Sequence, residues 1–232
     1  MSTIYLVPIV LDETALNTIP LYIVDAVKNC QVIFAENERT ARRFLKSICK
    51  DIVIDNYEWF TIHKVENEQK INFANAIKAE KNIAIFSEAG CPGVADPGQI
   101  LVELAQQMNA AVKPLVGPSS ILLALMASGM NGQRFEFVGY LPIDVTERIN
   151  AIKEMELTSL KKNSTQLFIE TPYRNEQMIA TLLKTCKANT RLCVAAELTS
   201  PNEYVKTKTI AEWRNEKTDF HKKPVIFLLL AV

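Results

Sequence analysis

Short apolar runs alternate with amphipathic segments through the first half of this 232-residue chain. The apolar runs have the length of buried strands and lie at 4–7, 31–35, 52–54, 82–86 and 111–115. Segments with helical spacing lie between them at 21–28, 38–49, 66–80 and 98–108. Strands that alternate with helices predict a parallel sheet covered on both faces.

The second half of the chain has a different pattern. Predicted helices lie at 119–128, 145–161 and 173–185, and predicted strands at 135–139 and 166–170. Three strand-like segments follow, with one short helical piece at 210–215 among them, at 192–197, 203–209 and 225–231. Alternation along 204–208 is typical of a half-exposed antiparallel strand. The sequence therefore predicts an α/β fold of two domains, a parallel N-terminal sheet in 1–116 and a mixed C-terminal sheet in 117–232.

Glycine is concentrated in one part of the chain. All seven glycines lie between residues 90 and 139, and four of the ten prolines lie there too. Glycine serves where the backbone needs positive φ or a close approach. The richest segment, 87–98, follows a predicted strand and precedes a helix, which places it at the carboxyl ends of the strands, where ligands bind. A tight structural turn is the alternative. The segment is neither a dinucleotide fingerprint nor a P-loop, and it has no lysine for a terminal phosphate.

Charge and cysteine content exclude several classes of protein. The charges of the 26 basic and 26 acidic residues cancel. The surface as a whole therefore does not bind nucleic acid by its net charge, and any basic patch is local. No apolar run reaches the length of a membrane span, and no charged region precedes the first apolar run, so we predict a cytoplasmic protein without a signal peptide. Five cysteines without a C-x-x-C predict neither a disulfide framework nor a zinc site. Cys91 is a weak nucleophile candidate, since no histidine lies nearby in sequence.

The stretch S-E-A-G-C-P-G-V-A-D-P-G at 87–98 resembles S-D-A-G-T-P-G-I-S-D-P-G of the tetrapyrrole-methylase superfamily. More narrowly, it resembles the branch of ribosomal RNA small subunit 2′-O-methyltransferases I. Further stretches resemble motifs of that branch in the same order: 35–39 (A-E-D-T-R), His63 with 67–68 (H and N-E), 117–120 (G-P-S-A), 137–142 (F-x-G-F-L-P), 170–174 (E-S-P-H-R) and 197–199 (E-L-T). The resemblance covers nearly the whole chain.

This resemblance implies two α/β domains that hold S-adenosylmethionine (SAM) in the cleft between them. It also implies a methyltransferase that acts on the 2′-hydroxyl of small-subunit ribosomal RNA, a homodimer, and no metal. We further predict no membrane partner and no DNA partner. The residues that it assigns to the cofactor are Pro8, Ser87, Glu88, Ala89, Gly90, Pro92, Pro118, Ser119, Ser120, Glu170, Thr171, Pro172, Leu198 and Thr199. For Ser119, capping of the following helix is the alternative.

Methyl transfer needs alignment of the reacting atoms and the removal of one proton from the acceptor. Glu36 and Glu170 are candidate bases, because each ends a predicted strand near an arginine. The alternative interpretation of Glu36 and Arg39 is a structural ion pair without a catalytic role. His63 is the third candidate base, with a solvated loop histidine as its alternative. For an RNA acceptor, the arginines at 39, 42 and 43 are candidate phosphate contacts, with a solvated helix face as the alternative.

The chain departs from the family pattern at several positions. The first loop is P-I-V-L-D-E from Pro8 onward, with no glycine, and we predict a poorly ordered or displaced loop over 10–17. Glu88 and Asn37 replace aspartates, and Ser200 replaces a lysine. Two other functions therefore stay open: a methylase of a tetrapyrrole-like or other small metabolite, and a SAM-binding module with little catalysis.

Overall fold

The structure is a computed structural model that describes residues 1–62 and 67–232. The chain divides into two compact units, Met1–Ser119 and Ser120–Val232. Across the part of the chain that the structure describes, no helix has both the length and the apolar character needed to span a bilayer.

The first unit is a five-stranded parallel sheet with the strand order β3-β2-β4-β1-β5. Its strands are β1 (Thr3–Val7), β2 (Val32–Ala35), β3 (Glu58–Thr61), β4 (Ile83–Phe86) and β5 (Ala111–Pro114). Its helices are α1 (Tyr22–Lys28), α2 (Glu38–Ile48), α3 (Lys70–Lys78) and α4 (Gln99–Gln107). Every residue of β2 and β4 is buried, as a parallel strand covered on both faces requires.

Two apolar layers cover the two faces of this sheet. Side chains alternate along a strand, so Ile33 and Phe86 face one layer, with α1 and α2, while Phe34 and Ile85 face the other, with α3 and α4. The predicted parallel sheet with helices on both faces is confirmed.

The second unit is a mixed five-stranded sheet with the order β6-β7-β10-β8-β9. Its strands are β6 (Phe135–Tyr140), β7 (Thr165–Ile169), β8 (Arg191–Ala196), β9 (Tyr204–Thr209) and β10 (Val225–Leu230). Its helices are α5 (Ser120–Ser128), α6 (Val145–Lys162), α7 (Asn175–Thr185) and α8 (Ile210–Trp213). β6 and β7 are parallel, and β10 runs antiparallel to both β7 and β8, which confirms the mixed sheet.

The strand predicted at 52–54 is wrong. Ile54–Asn56 is a short 3-10 turn, and the strand at this edge of the sheet is Glu58–Thr61. Ile52 is apolar because it packs into the core from a loop, whereas the edge strand has only two aromatic residues, enclosed by two polar ones, and no longer apolar run. The helix predicted at 66–80 begins at Lys70, and residue 66 lies outside the described residues.

The loop after β1 is held by hydrogen bonds, which contradicts the first alternative predicted for 10–17, a poorly ordered loop; the second alternative, a displaced loop, stays a prediction. The Asp12 carboxylate accepts a hydrogen bond from the Thr14 amide at 2.9 Å, and the Asp12 carbonyl accepts one from the Ala15 amide at 3.0 Å. This Asx turn closes the loop without a glycine. Val10 and Ala15 are buried beneath it.

Candidate active site

The glycine-rich loop at 87–98 lies at the carboxyl edge of the first sheet, beside the loop that follows β1. Because β1 and β4 are parallel neighbours, their carboxyl ends lie at the same edge. Ile9 and Gly90 pair there as an isolated antiparallel bridge, with N···O distances of 2.9 and 3.0 Å. Gly90 has a φ of +71°, a conformation that L side chains rarely adopt. The two loops therefore form one backbone surface at the sheet edge.

A hydrogen-bonded network joins the ends of β2 and β4. The Asn37 side chain accepts hydrogen bonds from the Arg39 and Thr40 amides, which caps α2, and its Nδ2 donates to Glu88 Oε1 at 2.7 Å. The Glu88 amide donates to Glu36 Oε2 at 3.1 Å. Glu36, Arg39 and Glu88, all predicted from the sequence, are thus brought together. They line an open cavity of about 440 Å³ together with Asn37, Glu38 and Thr61.

Asp96, in the same loop, belongs to this acidic cluster and was missed by the sequence prediction. Burial, together with the negative charges of Glu36 and Glu88, raises the pKa of the Asp96 carboxyl from 3.8 to about 7. The D-P-G sequence gives no sign of these neighbours, since Glu36 is brought close only by the pairing of β2 with β4.

The Asp96 carboxyl makes the stability of the protein depend on pH. A carboxyl whose pKa is raised by folding contributes stability that is fully present below its unfolded pKa of 3.8 and is lost as the pH rises through about 7. Asp96→Asn keeps this group neutral. At pH 8 we expect the variant to exceed the wild type by about 1 kcal/mol in free energy of unfolding, after solvent screening, and at pH 4 we expect little difference. Urea unfolding at both pH values measures this, and a difference independent of pH would contradict the assignment.

The Cys91 thiol is unsuited to nucleophilic chemistry. Its Sγ lies 3.5 Å from the Pro118 carbonyl oxygen, to which it donates a hydrogen bond. Burial raises the pKa of the thiol, and the negative charge of Asp96 raises it further, so the reactive thiolate is disfavoured. The structure thus supports a packing role for Cys91.

Two of the arginines suggested for RNA contact are already held by carboxylates. Arg42 is paired with Glu38 at 2.5 Å and lies over the Trp59 ring, with its Cζ 4.8 Å from the ring centroid. Arg43 is paired with Glu13 at 2.9 Å. Arg39 lines the cavity described above. Among these three, Arg39 is the one whose position supports a role in the site.

Glu170 lies at the carboxyl end of β7 in the second unit, in a buried ion pair. Its Oε1 accepts from Arg174 Nε at 2.9 Å and from the Thr171 amide at 2.6 Å. Its side chain is 1% exposed, while that of Arg174 is 23% exposed. This geometry favours a structural ion pair over proton transfer for Glu170.

The other residues predicted in the second unit follow the ends of β7 and β8. The Pro172 carbonyl accepts a hydrogen bond from the Lys222 amide at 3.0 Å, and Leu198 is buried. Thr199 has a φ of +70°, and its amide donates to Glu203 at 2.7 Å. Within residues 1–62 and 67–232, the buried Thr199 hydroxyl has no hydrogen-bond partner. Such an atom is available to a ligand.

Of the remaining predicted residues, two are buried, one begins a helix, and one is not among the described residues. Ser87 is buried, and its hydroxyl donates to the Ala89 carbonyl at 3.2 Å. Pro92 is buried in the glycine-rich loop, and Ser120 is the first residue of α5. His63 lies outside the described residues.

The two α/β units, each built on one five-stranded sheet, define a fold class that solved methyltransferases also have. Two solved structures share this fold. The methyltransferase CobJ matches with a TM-score of 0.66 at 14% identity, over 100% of this chain and 94% of that one. Uroporphyrin-III-C-methyltransferase from Thermus thermophilus matches with a TM-score of 0.56 at 14% identity, over 98% and 91% of the two chains.

The chain belongs to the family of Tetrapyrrole (Corrin/Porphyrin) Methylases, which it matches over residues 4–213. Two curated relatives carry the name Ribosomal RNA small subunit methyltransferase I. The protein of Buchnera aphidicola subsp. Schizaphis graminum is 30% identical over 98% of this chain and 77% of its own length. That of Bacillus subtilis is 31% identical over 93% of this chain and 71% of its own length. Family and relatives together identify a methyltransferase.

Proposed function

We propose that the protein transfers a methyl group from SAM to a ribose 2′-hydroxyl of small-subunit ribosomal RNA. The relatives named for this ribosomal substrate align with nearly the whole chain, which supports the choice of acceptor. The observation that carries the proposal is the pairing of Ile9 with Gly90, which joins two family motifs into one backbone surface at the carboxyl edge of the first sheet.

Two features of this edge support SAM as its ligand. A side chain at Gly90 would project toward the Leu11 side chain and the Pro118 carbonyl, at 3.4 and 3.6 Å, so glycine leaves the backbone open to a ligand. SAM supplies a methyl group on a positively charged sulfonium. Glu36 and Glu88 give this edge a negative potential that favours such a cation.

The acceptor hydroxyl must lose one proton as the new oxygen–carbon bond forms and the carbon–sulfur bond breaks. Glu36 is the carboxylate that we assign to this proton, because it lines the open cavity, whereas Glu170 is enclosed by its ion pair. Arg39 lines the same cavity and is placed to orient a phosphate or the Glu36 carboxylate.

Gly90→Val is expected to abolish SAM binding in isothermal titration. Valine is disfavoured at a φ of +71°, and its branches would occupy the space beside Leu11 and Pro118. Gly132→Val is the matched control, because a Cβ at Gly132 meets nothing within 4 Å. Circular dichroism checks that the Gly90 variant is folded, and Glu88→Gln tests the same loop if it is not. Wild-type affinity in a folded Gly90→Val would place the SAM site elsewhere.

Methyl incorporation into isolated small ribosomal subunits tests the acceptor. Under the proposal, labelled methyl groups from SAM appear at a ribose of the RNA, and Glu36→Gln lowers the rate while SAM affinity changes little. Transfer to a small metabolite with none to RNA would support the metabolite methylase. SAM binding without any transfer would support the binding module.

A homodimer and a cytoplasmic location complete the proposal. β6 is an edge strand of the second sheet, and Phe135, Val138 and Tyr140 on it are exposed. On α5, Leu122 and Met126 lie one turn apart and are exposed as well. Exposed apolar surface of this kind favours burial against a second copy. The cytoplasm is where the proposed ribosomal substrate is found.

A further inference from the structure

Hydrogen bonds join two loops that are distant in sequence at the carboxyl end of β7. The Lys222 amide donates to the Pro172 carbonyl at 3.0 Å. The Asn175 side chain, fully buried, donates to the carbonyls of Phe220 and Lys223 at 2.9 and 2.8 Å. These contacts fix the segment 220–223 against the segment 172–175.

Between these segments, the aromatic ring of Tyr173 is exposed but has neighbours that restrict it. Tyr173 is 72% exposed. The His221 ring meets it edge to face, with centroids 6.1 Å apart, and Lys222 Nζ lies 5.9 Å from the tyrosine centroid. A large exposed side chain loses rotamer entropy when a ligand orders it, and neighbours that already restrict it reduce this cost.

The cations and acids around the ring nearly balance, and Lys222 is the cation that lies against the ring itself. Arg174 is paired with Glu170 and Lys223 with Glu197, so these two cations are largely neutralised. Within the described part of the chain Lys222 has no ion-pair partner, and Lys217, on the same loop, is exposed. Asp219 is an exposed acid on this loop, while Glu176 is tied to the Phe220 amide at 2.6 Å.

We propose that Tyr173, His221 and Lys222 form a stacking platform for one unpaired base of the acceptor RNA, with Lys222 on the adjacent phosphate. Proteins bind single-stranded RNA by stacking bases on exposed aromatic rings flanked by cations. The inference rests on the proposed function for the identity of the RNA. It adds a contact surface in the second unit, where the family motifs point to the cofactor.

Binding of a fluorescent, unstructured oligonucleotide of about 12 nucleotides to the full-length protein tests the platform. Tyr173→Ala should weaken binding between about 5-fold and about 100-fold, the effect of losing one stacked base. Tyr173→Trp should retain binding. Lys222→Ala should lower the slope of log affinity against log salt by about 0.7. The controls are Leu157→Ala, an apolar side chain 62% exposed on α6, and Lys184→Ala, at the far end of α7.

The outcomes separate the platform from the proposed function. Unchanged RNA affinity in Tyr173→Ala, an equal loss in Leu157→Ala, or no binding by the wild type overturns the platform. Equal affinity for duplex RNA or for anionic lipid vesicles also overturns it. Methyl incorporation into small subunits is measured separately. Incorporation unaffected by Tyr173→Ala leaves the function standing without the platform, and specific RNA binding without incorporation leaves the platform standing without the function.

Discussion

Gly117→Ala is expected to lower the free energy of unfolding by about 3 kcal/mol and to weaken SAM binding at least 10-fold. A Cβ at Gly117 would lie 2.3 Å from both Cβ and Cγ of Pro8. The proline ring cannot rotate out of the way, so the loop after β5 must move away from the loop after β1. Pro8 precedes Ile9, whose bridge to Gly90 aligns the proposed ligand surface. Urea unfolding and calorimetric titration with SAM measure the two effects.

Two further variants test whether the effect is steric. Gly132→Ala adds the same methyl group where nothing lies within 4 Å, and it should change neither quantity. Pro8→Gly combined with Gly117→Ala removes both clashing atoms and should restore part of the stability. The φ of Gly117 lies outside the left-handed region, so backbone strain plays no part. If Gly117→Ala is as stable as Gly132→Ala, the close approach of the two loops is not a constraint.

The sequence predicted the strands in the middle of the first sheet and β5 at one edge, and it misplaced β3 at the other edge. β2 and β4 are buried on both faces, so every position is apolar and the run is obvious. β3 pairs on one side only, with β2, and its exposed ends carry Glu58 and Thr61. A half-exposed edge strand of four residues has no pattern that distinguishes it from the preceding loop.

The sequence predicted those residues of the candidate site that lie within a single motif. It did not predict which motifs come into contact, because that depends on the order of the strands. The motifs at 35–39 and 87–98 pointed to Glu36 and Glu88, but their contact depends on β2 lying beside β4. Glu36 becomes a neighbour of Asp96 through the same pairing, which the sequence does not indicate. The role of Asn37, which stands where the family motif has aspartate, is seen only in the structure. Its side chain both caps α2 and donates a hydrogen bond to Glu88.

The platform around Tyr173 was unpredictable for a topological reason. β10 is the last strand in sequence, yet it inserts between β7 and β8 and runs antiparallel to both. The segment that leads into β10 therefore reaches the carboxyl end of β7, where Tyr173 lies. Residues 48 positions apart, such as Asn175 and Lys223, become hydrogen-bonded neighbours through this insertion alone.

Glu170→Ala is expected to lower the free energy of unfolding by about 3 kcal/mol, the lower end of the cost of breaking a buried ion pair. The carboxylate is 1% exposed and accepts hydrogen bonds from Arg174 and from the Thr171 amide. Without it, Arg174 keeps the Thr171 hydroxyl at 3.1 Å as its partner. The arginine is 23% exposed and finds some water, which holds the loss at the lower end. Urea unfolding measures it.

The ion pair of Glu197 with Lys223 is the matched control, because it lies in the same unit but its side chains are 23% and 38% exposed. Glu197→Ala should cost about 1 kcal/mol or less, since solvent screens an exposed pair. Glu170→Gln separates structure from catalysis: it keeps an acceptor for the Thr171 amide but removes the charge and any proton transfer. Methyl transfer that falls only as far as stability and SAM affinity fall supports the structural role. A loss of transfer at least 100-fold in a stable variant that binds SAM normally would instead make Glu170 the base and contradict its assignment to Glu36.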